Sequence, residues 1–394
     1  MYSIISNTYN FSANQLFAIG KRDNNAKRNF LFVSKLLGKH IAVKPEVVRA
    51  TGYLLSSLKY QFDNTDYINC IKNNSSPSYD NHAKDNDVLV IGFCETATAL
   101  GMSVAMSIEG ATYIATTREP VHGIKQLVTF EESHSHASTH FMYSNDIQLS
   151  QFKKLILVDD EITTGNSLLH LIDTITNVAN IEDITILTIL DWRNEEQKQK
   201  FQTFATTHNI SLSVYSLVSG TTVANDKTIY HNNTIGIAEA GKNTMDLSCF
   251  PKTIITMPNG EQNFYLTNSG RFGITYRQMQ EIEERALKAA TSIAQRIKSV
   301  KRLMVLGHGE NMYIPSRVAA QLSIQGYDVM FKTTSRTPIF CDGTLFKDGV
   351  EFYNKGSKYH FYNKHEAEDY DRVIMLCEDD FPHKLCKNML TFKL

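Results

Sequence analysis

Short unbroken apolar runs alternate along this chain with stretches of helical spacing, as expected of strands buried on both faces and joined by crossover helices. In the first half the runs are Val88 to Gly92, Tyr113 to Arg118, Leu155 to Val158, Ile184 to Leu190 and Ser211 to Val218. Helical spacing predicts helices over Pro45 to Tyr60, from the turn after Gly92 through Ile108, over Gly165 to Val178 and over Asn194 to Thr207. In the second half, runs starting at Arg302, Asp328 and Arg372 read as strands, with helices over Arg277 to Lys298 and Ile314 to Ile324. The polar, basic opening, an Asn- and Ser-rich surface loop through Asn86, and irregular chain from Gly220 to Gly260 carry little periodicity. The pattern predicts an α/β, Rossmann-like parallel sheet in residues 1–240 and a second α/β domain in residues 241–394.

The two halves echo each other. Val88 to Gly92, Glu95 and Thr116 to Pro120 are matched by Leu303 to Gly307, Glu310 and Thr334 to Pro338, and Arg372 to Asp380 repeats a strand ending in acids. A degenerate internal repeat is the expectation.

Composition narrows the function classes. The 394 residues carry a formal net charge of −1, with no basic run to suit nucleic acid or an anionic membrane surface. No apolar run reaches membrane-spanning length, and the opening lacks the pattern of a signal peptide. The six cysteines are scattered without a C-x-x-C pair, so neither a zinc site nor a disulfide framework is expected. The reading is a cytoplasmic protein that handles small molecules.

The chemistry concentrates after Leu155 to Val158. Asp159 and Asp160 fall at the carboxyl end of a buried strand, where open α/β sheets bind ligands and carboxylates can accept hydrogen bonds from a sugar diol. Thr163, Thr164, Asn166 and Ser167 follow as donors around Gly165, ahead of a helix start whose amides favour an anion. A ribose carrying a 5-phosphate has both parts.

This stretch, LILVDDEITTGNS, resembles the PRPP-binding motif of type I phosphoribosyltransferases, where PRPP is phosphoribosyl pyrophosphate. The resemblance implies that Asp159 and Asp160 hold the ribose hydroxyls, and that Glu161, Thr163, Thr164, Gly165, Asn166 and Ser167 complete the PRPP site. SKLLGKH is similar to the segment from which a lysine reaches PRPP in orotate phosphoribosyltransferases. That makes Lys39 a ligand candidate, with Lys35 and His40 behind it. By position Gly92, Glu95, Thr96 and Ala97 inherit the pyrophosphate-binding turn. Glu119 to Asp146 corresponds to the hood that closes over the reaction, with Arg118 and Lys125 as its basic candidates. His134, His136 and His140 in that segment suggest either a metal site or, for His134 and His136, proton transfer with the acceptor base. Trp192 at a strand end suggests base stacking, with Asp191 and Arg193 reading the polar edge; sealing the sheet end is its plainer role.

More narrowly the chain resembles the phosphoribosyltransferase family encoded beside tellurium-resistance genes, whose catalytic domain precedes a TRSP domain. GFCETATALG, FEESHSHA, GHGENMYIPSRVAAQL and TTSRTPI carry that resemblance. Arg336, Glu310 and Arg271 become candidates for a ligand of the second domain. The resemblance implies a pentosyltransferase that moves ribose 5-phosphate to or from a base-like acceptor, with Mg²⁺ accompanying PRPP and pyrophosphate released or consumed. A non-catalytic PRPP or nucleotide regulator and a pathway scaffold stay open as alternatives. A homodimer and partner enzymes of one pathway are further expectations; nucleic acid and membrane are not.

Overall fold

The computed structural model describes residues 2–25, 29–79, 82–131, 139–222, 228–232, 234–241, 244–256, 260 and 262–394. Its larger sheet has seven strands in the order Tyr2–Asn7, Ser211–Thr222, Asp183–Asp191, Lys154–Ile162, Val88–Gly92, Thr112–Ala115, Ile274–Thr275. The inner strands run parallel and the two outermost are antiparallel. Lys154–Ile162 sits centrally, and its Leu155 to Val158 are buried, as a strand covered on both faces requires. The second sheet is parallel and five-stranded, in the order Met245–Asp246, Met389–Lys393, Arg372–Cys377, Arg302–Gly307, Asp328–Thr333.

Local sequence explains the helices that join these strands. Pro45–Tyr60 opens on Pro45, whose missing N–H costs nothing in the first turn. It carries Glu46 early and Lys59 late, as the helix dipole favours, and ends on Gln61 in the left-handed region. Gly52 lets this helix lie against helix Thr98–Met106, because a Cβ there would stand 2.3 Å from Cβ of Ser103.

The two halves interleave. Ile274–Thr275, from beyond the expected boundary at residue 240, pairs with Thr112–Ala115 of the first sheet. Helix Tyr276–Ala294 packs on helices 98–106 and Tyr313–Ile324, and one hydrophobic cluster takes in Val48, Leu89, Ile282, Val318 and Phe331 together. A buried ion cluster crosses the same seam. Arg317 Nε lies 2.7 Å from Glu283, Arg317 Nη1 3.2 Å from Glu46, and Arg49 3.2 Å from Glu283.

Three weakly periodic stretches turn out to be structured. The polar opening forms strands Tyr2–Asn7 and Phe17–Arg22, the former closing the sheet edge. The Asn- and Ser-rich loop contains helix Thr65–Asn73, which buries Tyr67, Cys70 and Ile71. Gly220 to Gly260 contributes Met245–Asp246 to the second sheet. Tyr67, Cys70 and Ile71 follow helical spacing over one short run, while the strand segments are set by tertiary contact. Among the described residues no helix is long and apolar enough to cross a membrane.

Candidate functional site

The first rim lies at the carboxyl ends of Val88–Gly92 and Lys154–Ile162. Asp159 and Asp160 are partly exposed there, with the Asp160 amide donating to Asp159 Oδ1 at 2.9 Å. Burial, then the neighbouring Asp160, pushes the Asp159 carboxyl well above its ordinary value. Burial, then Glu161, pushes Asp160 up to about 6. Three consecutive acids thus crowd one rim, which favours a hydroxyl donor or a cation beside them.

The following turn has the geometry of an anion cradle. Gly165 has φ +76° and caps helix Asn166–Thr176, whose first turn carries no acid to oppose a ligand at its amides. A Cβ on Gly165 would meet the Phe201 ring at 2.4 Å. Thr163, Thr164, Asn166 and Ser167 are partly exposed around it.

Behind that turn stand the residues expected to read the acceptor, and here the expectation is corrected. Asp191 and Arg193 are buried and clasp each other, Nε to Oδ1 at 2.9 Å and Nη2 to Oδ2 at 2.8 Å. The guanidinium covers the Phe201 ring at 4.3 Å. Trp192 is 3% exposed, stacked on Phe32 at 4.6 Å and flanked by Phe17 and Tyr2. It seals the sheet end, and its faces are taken. The signal missed in the sequence is the set of aromatic residues in the opening strands, whose distance along the chain hides the contact.

Lys39 is 1% exposed rather than open to the rim. Its Nζ lies 3.2 Å from Glu95 Oε2 and donates to the Gly309 carbonyl at 3.0 Å. Burial lowers its pKa, which Glu95 partly restores, and its charge bears on Asp160. Lys35 donates to Asn14, and His40 is buried with Nε2 3.0 Å from Ser335 Oγ. In the turn Gly92 to Ala97, Glu95 and Ala97 are buried while Thr96 is partly exposed, and the Cys94–Glu95 peptide is cis.

The hood segment is a hairpin of Gln126–Glu131 and Thr139–Tyr143. His134 and His136 lie outside the described residues. His140 is buried, stacked on Phe130 at 4.9 Å and 3.4 Å from Cys94 Sγ. No cluster of three or more His, Cys, Asp or Glu that could hold a metal occurs among the described residues. Lys125 is exposed at the foot of the hairpin, and Arg118 is half-buried.

The second half docks on this rim through a reciprocal exchange that makes the internal echo physical. Glu310 accepts from the Arg118 amide at 2.9 Å and from Thr117 Oγ1 at 2.7 Å; Glu95 accepts from the Arg336 amide at 3.1 Å. Cys94 N donates to Thr116 Oγ1 as Gly309 N donates to Thr334 Oγ1. The Glu119 amide bonds Thr117 Oγ1 just as that of Thr337 bonds Ser335 Oγ. Strand register completes the correspondence. Gly92 pairs with Val158 and Leu306 with Met375, which sets Cys377, Glu378 and Asp379 opposite Asp159, Asp160 and Glu161.

Arg336, Glu310 and Arg271, the candidates for a second ligand, converge. Glu310 lies 3.5 Å from Arg271 and 3.9 Å from Arg336. Arg271 is 4% exposed and grips Glu378 at 3.0 Å. Burial pushes the Glu310 pKa up, but Arg271 and then Arg336 outweigh it and hold the carboxyl below its ordinary value.

A mainly parallel sheet whose carboxyl rim bears an acid pair and an anion turn, docked on the rim of a second, parallel sheet, has the α/β architecture of the phosphoribosyltransferase type. A family described as phosphoribosyl transferase matches residues 16–221, and one described as the TRSP domain C-terminal to it matches residues 268–392. The first match spans more than half of the chain, and the chain belongs to that phosphoribosyl transferase family. No curated protein matches it. Among solved structures it is similar to adenine phosphoribosyl transferase from Trypanosoma brucei, in complex with AMP, pyrophosphate and ribose-5-phosphate. That match has 14% identity and a TM-score of 0.30, over 51% of this chain and 76% of that one. The Leishmania tarentolae adenine phosphoribosyltransferase is 12% identical with a TM-score of 0.33, over 56% and 94%.

Proposed function

We propose that the protein transfers a ribose 5-phosphate unit between pyrophosphate and a base-like acceptor, using PRPP at the first rim. The observation that carries this reading is the partly exposed Asp159–Asp160 pair beside the left-handed Gly165 turn. The carboxylates accept the ribose hydroxyls, and the amides opening helix 166–176, with Thr163, Thr164 and Ser167, take the 5-phosphate. Thr96 and the backbone of the Gly92 to Ala97 turn face the pyrophosphate. In this reading residues 1–240 carry the reaction and residues 241–394 brace its rim.

In the forward direction the C1–O bond to pyrophosphate breaks while the acceptor's lone pair forms the new bond to C1, and the acceptor's proton leaves to solvent or pyrophosphate. Positive charge builds on the sugar as the old bond lengthens, so the nearby carboxylates and the exclusion of water do most of the work. Arg118, just before the hood, and Lys125 at the foot of its hairpin add positive charge toward the leaving group. Lys39, held by Glu95 and Gly309, contributes through its charge. The oxygen-rich acids fit Mg²⁺ bound mainly through phosphate oxygens and water, rather than in an all-protein cage, and it would neutralise the departing pyrophosphate.

The test is pyrophosphate release from PRPP and Mg²⁺ across a panel of bases, with Asp159→Asn/Asp160→Asn as control. Acceptor-dependent release by the natural chain and none by the folded variant is expected. Calorimetric PRPP binding that is the same in both proteins overturns the assignment.

A further inference from the structure

The rim of the second sheet forms a cleft of its own. Its floor is the ends of Arg302–Gly307 and Arg372–Cys377, and its far wall is Glu119 from the first half. This is the position at which a parallel sheet binds ligands. Two buried donors in it have no hydrogen-bond partner, Asn311 Nδ2 and Arg271 Nε, although their residues are only 5% and 4% exposed. Burying an unpaired donor is costly, so their placement at a cleft points to an acceptor brought by a ligand.

The rest of the lining restricts what that ligand is. Glu119, Glu310, Glu378, Asp379 and Asp380 outnumber Arg271 and Lys355, a balance that disfavours phosphate. No small-residue turn follows: Phe381 stands where the first half has its Thr163 to Gly165 loop, and it is 1% exposed. Phe381, Tyr359 and His308 form an aromatic wall, with His308 4.5 Å from Tyr359 and 5.2 Å from Phe381. His308 is bonded on both nitrogens, to Thr334 Oγ1 and Asn354 Nδ2, and burial brings its pKa down to about 3, so this wall is uncharged near neutral pH. Hydroxyl groups serve both needs at once, accepting from Asn311 and Arg271 while donating to Asp379 and Glu119. A ring face suits the aromatic wall.

We propose that this cleft binds an uncharged polyhydroxylated ring, a sugar or glycoside without a terminal phosphate. It is a second binding site that does not depend on the PRPP reading of the first rim. Lys355, at the tip of the hairpin of Gly349–Asn354 and Ser357–Tyr362, reaches Asp379 at 3.3 Å across the cleft mouth. The free space within is about 30 Å³, room for one or two waters, so a ring enters only by displacing that ion pair.

The experiment uses the full chain carrying Asp159→Asn/Asp160→Asn, so that the first rim does not contribute, and saturation-transfer NMR with methyl β-ribofuranoside, ribose and inorganic phosphate. Both sugars are expected to bind and phosphate not to compete. Asp379→Asn weakens the sugar about tenfold or more, the size of one charge-assisted hydrogen bond. Lys355→Ala, on an exposed turn where folding is not at stake, tightens it severalfold. Absence of sugar binding, displacement by phosphate, or equal affinity in the parent, Asp379→Asn and Lys355→Ala proteins overturns the proposal. PRPP titration of the natural chain reads the first rim separately, so either reading can fail alone.

Discussion

The two rims start from the same plan and diverge at one strand end. On the first, Asp159 and Asp160 stay partly exposed and the chain turns through Gly165 into a helix N-terminus. On the second, the matching positions are a buried Cys377 and a Glu378 held by Arg271 and the Leu266 amide, and Phe381 fills the turn. The shared parts are the ones that hold the rims together: Glu95 with Arg336, Glu310 with Arg118. What differs is what meets solvent. The joint is alike on both sides while the ligand-facing loops differ, which is where fold and function part company.

The sharpest way to break this contrast is to remove the acids that set the first rim apart. Asp159→Asn/Asp160→Asn is expected to weaken PRPP by about 10²–10⁴-fold, two charge-assisted hydrogen bonds' worth, measured by calorimetry on protein with an unchanged circular dichroism spectrum. A loss under fivefold would put the sugar elsewhere. Glu310→Ala attacks the joint instead and leaves Arg271 without one of its buried counter-charges. Urea unfolding should show a loss of about 3–5 kcal/mol, and a change within ~0.5 kcal/mol would mean that the exchange between rims is incidental.

Asp160→Asn alone tests whether the first rim carries functional strain. Its folded pKa of about 6 lies above the unfolded one, so ionising it costs stability that is absent below about pH 4 and complete above about pH 6. The substitution should therefore stabilise the protein by up to about 3 kcal/mol at pH 8 and by little at pH 4. A pH-independent difference in melting temperature removes that reading. Gly165→Ala should cost about 2–5 kcal/mol, because its Cβ meets the Phe201 ring in addition to the left-handed backbone, with PRPP affinity falling alongside. An alanine that is neutral in both assays means that the turn tolerates other geometry.

Much of this was legible in the residues. Helix Pro45–Tyr60 occupies the bounds that Pro45 and the spacing predict, and the parallel of Glu95 with Glu310 and of Thr116 to Pro120 with Thr334 to Pro338 reappears as matched hydrogen bonds. These features are local, or repeat a local pattern. What stayed hidden depends on distant chain. Trp192 is covered by Phe17 and Phe32, nearly the whole first domain away in sequence. Lys39 is buried by the Gly309 loop, and Arg271 by strands on either side of it. A lone aromatic or cation carries no periodicity, so nothing in its neighbourhood announces burial.

The seam of helices 45–60, 276–294 and 313–324 has a consequence for biosynthesis. Val48 packs in one cluster with Val318 and Phe331, and Arg317 answers both Glu46 and Glu283. A nascent chain that has emerged only as far as residue 240 holds a sticky, acid-bearing face with nothing to cover it. The first half therefore waits on the ribosome for more than seventy further residues before it can close, and chaperone demand should peak in that interval.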